Sequence, residues 1–212
     1  MVLKLYGSRW SPNAKRVAMV LREKEVPFEA IEVDMLHSEA EYLKHQPFGE
    51  VPYIDDDGFI LYESRAICRY ICKKYPNRGT SLVPTALKDY ALFEQAASME
   101  CWNFDVHVSV AVLESVIKPA LGKPMNKTNY MHAVQRLNAR LEVYDEILSR
   151  QRYLCGNEIS LVDLFHIPNA VELEEAGCDV LHHRPNLSRW WKELLVRKSW
   201  KNVASRIESY RV

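Results

Sequence analysis

The hydrophobic periodicity of the chain changes once, across a segment with a proline at each end, Pro76 and Pro84. Before this segment, short β-branched and aromatic runs alternate with stretches of helical period, whereas after it apolar residues recur only at helical spacing. A chain of 212 residues has room for one large domain or two small ones. The change of period predicts an α/β domain over residues 1–76, a linker over 77–85 and an all-helical domain over 86–212.

The first domain shows strand and helix signals in the order β-α-β-α-β-β-α. Runs at 2–6 and 28–33 predict two strands, and a helix that opens at Ser11-Pro12 connects them. Two strands joined in this way lie parallel in one sheet. The turn Asp55–Gly58 separates two further strand patterns and predicts a hairpin. With two more helical stretches, the pattern predicts a small mixed sheet covered by helices, as in a thioredoxin-like domain.

The second domain contains helical patterns alone. A long pattern covers residues 86–118. A later one has a narrow apolar seam in steps of three and four residues, formed by Val134, Leu137, Leu141, Tyr144 and Leu148. Ser160 and Asp163 have the spacing of a helix-capping pair, and Pro185 and Ser199 start two short helices. We therefore predict a C-terminal helical bundle domain.

Charge and hydrophobicity exclude several classes of protein. Because 28 Lys and Arg balance 28 Asp and Glu, the chain has no basic surplus for nucleic acid or for an anionic membrane surface. It contains no apolar run of about 18 residues, and its first apolar run is too short for a signal peptide. We therefore expect a cytoplasmic protein, with no nucleic acid and no membrane among its partners.

The cysteines do not indicate a disulfide framework or a metal site. Their number is odd, none forms a C-x-x-C pair, and no histidine completes a zinc spacing with them. Cys68 and Cys72 lie four residues apart, on one face of a predicted helix. Two small buried side chains are the favoured interpretation there, ahead of a redox pair.

Four segments, in order and with the family's spacing, resemble the glutathione transferase superfamily and, within it, the phi class. They are Pro47–Pro52, Tyr62–Ile67, Tyr153–Pro168 and Arg184–Trp191. The resemblance covers nearly the whole chain. It implies a cytoplasmic detoxification enzyme, a homodimer that uses glutathione as co-substrate without a metal and conjugates it to small hydrophobic electrophiles. Phe48 is the residue expected to insert into the partner's helical domain.

The resemblance also assigns the residues that bind glutathione. Val51-Pro52 matches the cis-proline turn whose free backbone groups pair with the cysteinyl part of the tripeptide. Glu63-Ser64 lies where a strand gives way to a helix, and the helix N-terminus suits the γ-glutamyl carboxylate, while Glu63 holds the ammonium group. His37 matches the histidine that approaches the glycine carboxylate. An ordinary turn, a helix cap at Ser64 and an uninvolved histidine are the alternative interpretations.

Two positions depart from the family pattern near the glycine end of glutathione. Ser38 stands where a lysine is common, and Glu50 stands where a glutamine is common. Both changes make this end less positive, so we expect Glu50 to weaken glutathione binding unless it turns away or is protonated. Lys44 could compensate for the lost charge.

Ser11 matches the catalytic serine of the phi class, and Arg16 matches a supporting residue. The nucleophile is the sulfur of glutathione, and the Ser11 hydroxyl donates a hydrogen bond that favours its thiolate. A serine at this position favours conjugation or peroxide reduction, whereas a cysteine would favour disulfide exchange. A serine before a proline is also a common helix cap, so the position in the chain carries this assignment.

The electrophile is expected in an apolar site between the domains. Trp10, Pro12 and Leu36 would border it from the first domain, and Phe104 with Val108 or His107 from the second. Trp102 and Phe165 are expected in the helical core, and Ser160 with Asp163 is expected to be a folding cap rather than a catalytic pair.

Two other functions stay open. A non-catalytic protein of the same fold could carry hydrophobic metabolites, an alternative that the departures at Ser38 and Glu50 support. A glutathione-dependent thiol reductase would use a cysteine of the chain, such as Cys68.

Overall fold

The computed structural model describes residues 2–33 and 40–211. Leu36, His37 and Ser38 lie outside the described residues. The chain divides into two compact units, Met1–Val83 with Arg197–Val212, and Pro84–Val196. None of the helices within the described ranges is long and apolar enough to cross a membrane.

The first unit has the predicted order of strands and helices. Its elements are β1 (Leu3–Gly7), α1 (Pro12–Glu23), β2 (Phe28–Glu32), α2 (Ala40–His45), β3 (Tyr53–Asp56), β4 (Phe59–Tyr62) and α3 (Ser64–Lys74). The four strands lie in the order β2-β1-β3-β4, with β2 parallel to β1 and with β3 antiparallel to both β1 and β4. This architecture is thioredoxin-like, as predicted.

Helix α1 is buried on most sides in the core of this unit, with Met19 and Val20 as fully buried as its predicted apolar stripe. Ala14, Val17, Ala18 and Leu21 are all buried, at the helical spacing that the sequence shows. The helix ends at Glu23, four residues before Pro27. It ends there because Lys24 caps it and Glu25 then adopts a positive φ of 53°.

The second unit is helical. Its first run of helix has five parts, α4 (Leu87–Met99), a π-helical stretch (Glu100–Asp105), α5 (Val106–Val112), a second π-helical stretch (Leu113–Ile117) and α6 (Lys118–Ala120). The remainder is α7 (Lys127–Arg150), α8 (Leu161–Phe165), α9 (Ile167–Glu175), a 3-10 turn (Val180–His182) and α10 (Pro185–Leu195). In α7, four of the five predicted seam residues are buried, and Val134 is half-buried.

Ser160 and Asp163 form the predicted folding cap. The Ser160 side chain accepts from the Asp163 amide, and the Asp163 carboxylate accepts from the Ser160 amide over 2.9 Å, which completes a capping box at the start of α8. The buried Asp163 carboxylate also accepts from the Leu154 amide and the Trp190 indole, each over 2.9 Å. This carboxylate therefore organises the core of the helical unit.

The predicted boundary between domains needs one correction at the C-terminus. Residues 197–212 belong to the first unit rather than to the helical one. They contain α11 (Lys198–Lys201) and a final extended segment that pairs with β2. The sequence pattern is helical both before and after residue 197, so periodicity alone could not show which unit residues 197–212 join.

Candidate functional site

One edge of the sheet collects three of the predicted site segments. In the strand register, Tyr6 lies opposite Tyr53, and Tyr53 lies opposite Tyr62. The end of β1, the start of β3 and the end of β4 therefore meet at the same edge. Ser11, Val51-Pro52 and Glu63-Ser64 all lie within a few residues of these strand ends.

Ser11 is the N-cap residue of α1. Its hydroxyl oxygen accepts from the Ala14 amide over 3.4 Å, a long and weak hydrogen bond. Pro12 occupies the first turn, where its missing N–H group is harmless. A hydroxyl that accepts on one side keeps its hydrogen for donation to a ligand. Ser11 is half-buried, so a ligand can reach it at the positive end of the helix.

Arg16 connects the starts of helices α1 and α3. Its side chain is fully buried. One guanidinium nitrogen donates both to the Asn13 amide oxygen and, over 2.9 Å, to the Ser64 hydroxyl oxygen. Because the Ser64 oxygen accepts from Arg16, its hydrogen is directed elsewhere. A fixed positive charge thus lies beside the N-terminus of α3, where an anion is favoured.

Glu63 joins β4 to α3 in an unusual backbone conformation. Its φ is 70° with ψ at 104°, in the region that residues other than glycine rarely adopt. Its side chain is exposed, whereas Ser64 is buried at the first helical position. Strained residues of this kind cluster at ligand-binding sites, because the surrounding structure holds them in place.

Pro52 and Gly7 lie in direct contact at this edge. The Val51-Pro52 bond is cis, as the resemblance implies. A Cβ atom built on Gly7 would lie 3.3 Å from the Pro52 Cβ and 3.0 Å from the Ala14 Cβ, so glycine allows the close approach. Val51 precedes the β3 ladder, which leaves its backbone outside that ladder.

Glu50 and Lys44 each have a contact that involves α2. The carbonyl oxygen of Glu50 accepts from the Tyr42 hydroxyl, and the Glu50 side chain is exposed. Lys44 forms an ion pair with Glu41 on the same helix, with both side chains exposed. This pairing engages the charge that was expected to compensate for Glu50.

The predicted burial of Trp102 and Phe104 is reversed in the structure. Phe104 is 1% exposed and its ring packs against Tyr144 and His166, so it belongs to the helical core. Val108 is also fully buried. Trp102, expected in the core, is 75% exposed. Neither Phe104 nor Val108 therefore presents a surface on which an electrophile could lie.

Helical periodicity explains this correction. Buried side chains recur in steps of three and four residues along this run, at Phe93, Ala97, Glu100, Phe104, Val108 and Ala111. Trp102 lies halfway between two buried positions and points to solvent. Phe165 is fully buried, as predicted.

Of the apolar residues predicted in the first unit, Trp10 is exposed and Pro12 is half-buried, both next to Ser11. Asn13 was missed by the sequence analysis. The sequence shows only that Asn13 lies in the first turn of a helix, which does not indicate that its amide oxygen accepts from Arg16.

The cysteines are all free thiols. Burial raises the pKa of Cys68 well above its ordinary value and that of Cys72 to about 12. Burial likewise raises the pKa of Cys155 to about 12. Among the described residues, no group of three or more His, Cys, Asp or Glu side chains could hold a metal ion.

Comparison with known proteins identifies relatives of the whole chain. Residues 5–79 match the family described as the N-terminal domain of glutathione S-transferase, and residues 107–198 match its C-terminal domain. The chain is 45% identical over 208 residues to glutathione S-transferase hmp2 of Hypomyces subiculosus, covering 94% of this chain and 96% of that protein.

Two solved structures are also similar. Glutathione transferase F2 from Populus trichocarpa has a TM-score of 0.91 and 36% identity, covering 96% of this chain and 97% of that one. Glutathione S-transferase I from mais, in complex with an atrazine glutathione conjugate, has a TM-score of 0.89 and 30% identity, covering 97% of both chains.

Proposed function

Because the chain belongs to the phi class of the glutathione S-transferase family, we propose that Ser11 activates the sulfur of bound glutathione for attack on hydrophobic electrophiles. The observation that carries the proposal is the position of Ser11. It caps α1 at the sheet edge where the α3 N-terminus, Arg16 and the Val51-Pro52 turn also lie.

Glutathione would bind along this edge through its polar ends. The γ-glutamyl carboxylate would accept from the Ser64 hydroxyl and from the first amides of α3, beside the buried charge of Arg16. Glu63 would hold the ammonium group. The backbone of Val51 would pair with the cysteinyl part, which directs the sulfur toward Ser11. His37 would approach the glycine carboxylate, and the charge of Glu50 would oppose that contact.

The required stabilisation of the thiolate is modest. A thiol with a pKa of about 8.5 is ionised to about 3% at pH 7, and a pKa lowered by about 2 units gives about 75%. That change corresponds to roughly 2.7 kcal/mol. One hydrogen bond to a charged acceptor, together with the end of a helix dipole, can supply it.

Ionisation alone would give a small gain in rate. A less basic thiolate is a weaker nucleophile, by roughly tenfold over about 2 units if the slope for thiol exchange applies. The remaining acceleration would come from holding the electrophile beside the sulfur. Trp10 and Pro12 would provide apolar contacts next to Ser11. The mais relative holds an atrazine glutathione conjugate, which supports a planar aromatic electrophile for this chain as well.

A carrier of hydrophobic metabolites is the second candidate, and Glu50 favours it because a like charge would weaken glutathione binding. A reductase that uses Cys68 or Cys72 is disfavoured, because burial raises the pKa of both thiols and so favours their protonated, unreactive form. We also propose, from the family, a cytoplasmic homodimer with a role in detoxification. Phe48 is 71% exposed and available for a subunit contact.

The test is conjugation of glutathione to 1-chloro-2,4-dinitrobenzene by the Ser11→Ala variant. We expect a loss of at least tenfold in kcat, with a change in unfolding free energy of about 1 kcal/mol or less because the cap bond is weak. Ser81→Ala, at an exposed serine, is the matched control. Full activity of Ser11→Ala would reject the assignment. Glutathione binding without any conjugation by the unmodified chain would favour the carrier.

A further inference from the structure

Arg9, in the loop that carries Ser11, is bound by two segments that are distant from it in sequence. We define the serine loop as residues 8–11. Within it, the Ser11 amide donates to the Ser8 carbonyl over 3.0 Å, and the Trp10 amide donates to the Ser8 hydroxyl over 3.4 Å. These bonds set the shape of the loop, and Ser11 at its end accepts from the Ala14 and Lys15 amides of α1.

Glu32, the last residue of β2, makes the first attachment. Its carboxylate accepts from the Arg9 amide over 3.3 Å and from the Arg9 Nε over 2.7 Å. Both side chains are about two-fifths exposed, at 43% and 42%. A surface ion pair of this exposure adds little to stability by itself. Because it binds the backbone as well as the side chain of Arg9, it does restrict where the loop can lie.

The C-terminal segment makes the second attachment. The amide of Ile207 donates to the Arg9 carbonyl over 3.1 Å. This segment is itself anchored on β2, where Phe28 and Tyr210 exchange two backbone hydrogen bonds of 2.9 Å. The Ala30 amide donates to the Ser209 hydroxyl over 2.9 Å as well. Ile207 thus reaches the loop from a fixed position.

Both backbone polar groups of Arg9 are therefore bound by elements distant in sequence. Its N–H group donates to Glu32, and its C=O group accepts from the Ile207 amide. Arg9 itself lies two residues before Ser11. We propose that Glu32 and Ile207 are positioning residues, which clamp Arg9 and so hold the Ser11 hydroxyl at hydrogen-bond distance from the sulfur of glutathione. This inference rests on the proposed role of Ser11.

The clamp matters because the hydrogen bond to sulfur depends steeply on distance and angle. Removing either attachment would let the serine loop shift, whereas Ser64 at the α3 N-terminus would keep its bond to the buried Arg16. The clamp should thus affect ionisation of the bound thiol and leave the affinity for glutathione nearly unchanged.

The experiment is an ultraviolet absorbance titration of the thiolate in the complex with glutathione. The variants are Glu32→Ala and a chain that ends at Arg206. Glu29→Ala is the matched control, because Glu29 is an exposed glutamate on the same strand. Each variant is also made in the Ser11→Ala background, and the dissociation constant of glutathione is measured for all of them.

We expect Glu32→Ala to lower the thiolate fraction at pH 6.5 about fivefold, the change that a rise of about 1 unit from a pKa of about 6.5 produces. The dissociation constant should stay within about twofold, and Glu29→Ala should match the unmodified chain. In the Ser11→Ala background, Glu32→Ala should lower the thiolate fraction no further, because the serine it positions is gone.

A general structural role would predict a different result, with weaker glutathione binding and an equal loss in both backgrounds, and that result would overturn the clamp. If Ser11→Ala lowers the thiolate fraction while Glu32→Ala does not, the clamp alone is wrong. If Ser11→Ala itself changes nothing, the proposed function fails and the clamp with it. If the chain that ends at Arg206 does not fold, the result for Glu32→Ala tests the clamp by itself.

Discussion

Glu23, at the end of α1, holds the C-terminal segment to the first unit. Its buried carboxylate accepts from Arg197 through two bonds of 2.7 and 2.8 Å, and from Thr80 over 2.7 Å. The Ser199 hydroxyl donates to the same group. One carboxylate therefore connects α1, the segment after α3 and the start of the C-terminal segment.

The change Glu23→Gln keeps the volume of this side chain and removes its charge. Breaking a buried ion pair from one side costs about 3–5 kcal/mol. The Arg197 side chain is still 24% exposed, so we expect about 3 kcal/mol, at the lower end of that range. For a chain of this size, 1 kcal/mol shifts Tm by about 2–4 °C, which predicts a decrease of roughly 6–12 °C.

Urea unfolding at pH 7 measures this loss, with Glu25→Gln as control because Glu25 is exposed two residues further on. Equal unfolding free energies for the two variants, within about 0.5 kcal/mol, would refute the argument. They would mean that the C-terminal segment is held by its other contacts and that the Glu23 network adds nothing.

The same network predicts a pH dependence. Burial alone raises the pKa of Glu23, but the hydrogen bonds from Arg197, Ser199 and Thr80 outweigh it and hold the pKa below its ordinary value. Folding therefore favours the ionised form. The stabilisation is present above the pKa of the unfolded chain and is lost as pH falls through the folded value. The difference between the unmodified chain and Glu23→Gln should shrink as pH falls from 7 toward 3.

Two further predictions concern packing. Gly79→Ala should destabilise the fold by at least about 2 kcal/mol, because φ is +54° and the new Cβ would lie 2.0 Å from the Glu23 carbonyl oxygen. Gly58→Ala, at a positive φ with open space, should cost only about 1 kcal/mol in the same urea measurement. Phe104→Ala should cost about 3–5 kcal/mol, as for an aromatic side chain in a core, whereas Trp102→Ala should stay within about 0.5 kcal/mol. Equal losses for Phe104→Ala and Trp102→Ala in thermal unfolding would show that the burial pattern of this helix is wrong.

Local interactions explain what could be predicted from the sequence. The order of elements in the first unit follows from alternating periodicities and from turn signals such as Asp55–Gly58, which act over a few residues. The capping residues Ser11 and Ser160 bond to amides three residues away, so their roles appear in the sequence itself. The prediction that Ser11 is catalytic rests on its position in the chain and on the family motifs.

The tertiary structure alone decided which distant residues meet. Arg16 reaches Ser64 across 48 positions. Ile207 and Glu32 both reach Arg9, and neither contact leaves a local signal. A sequence pattern reflects interactions between residues that are close to one another along the chain. The clamp on the serine loop and the site of the C-terminal segment depend on packing between segments that only the folded chain brings together.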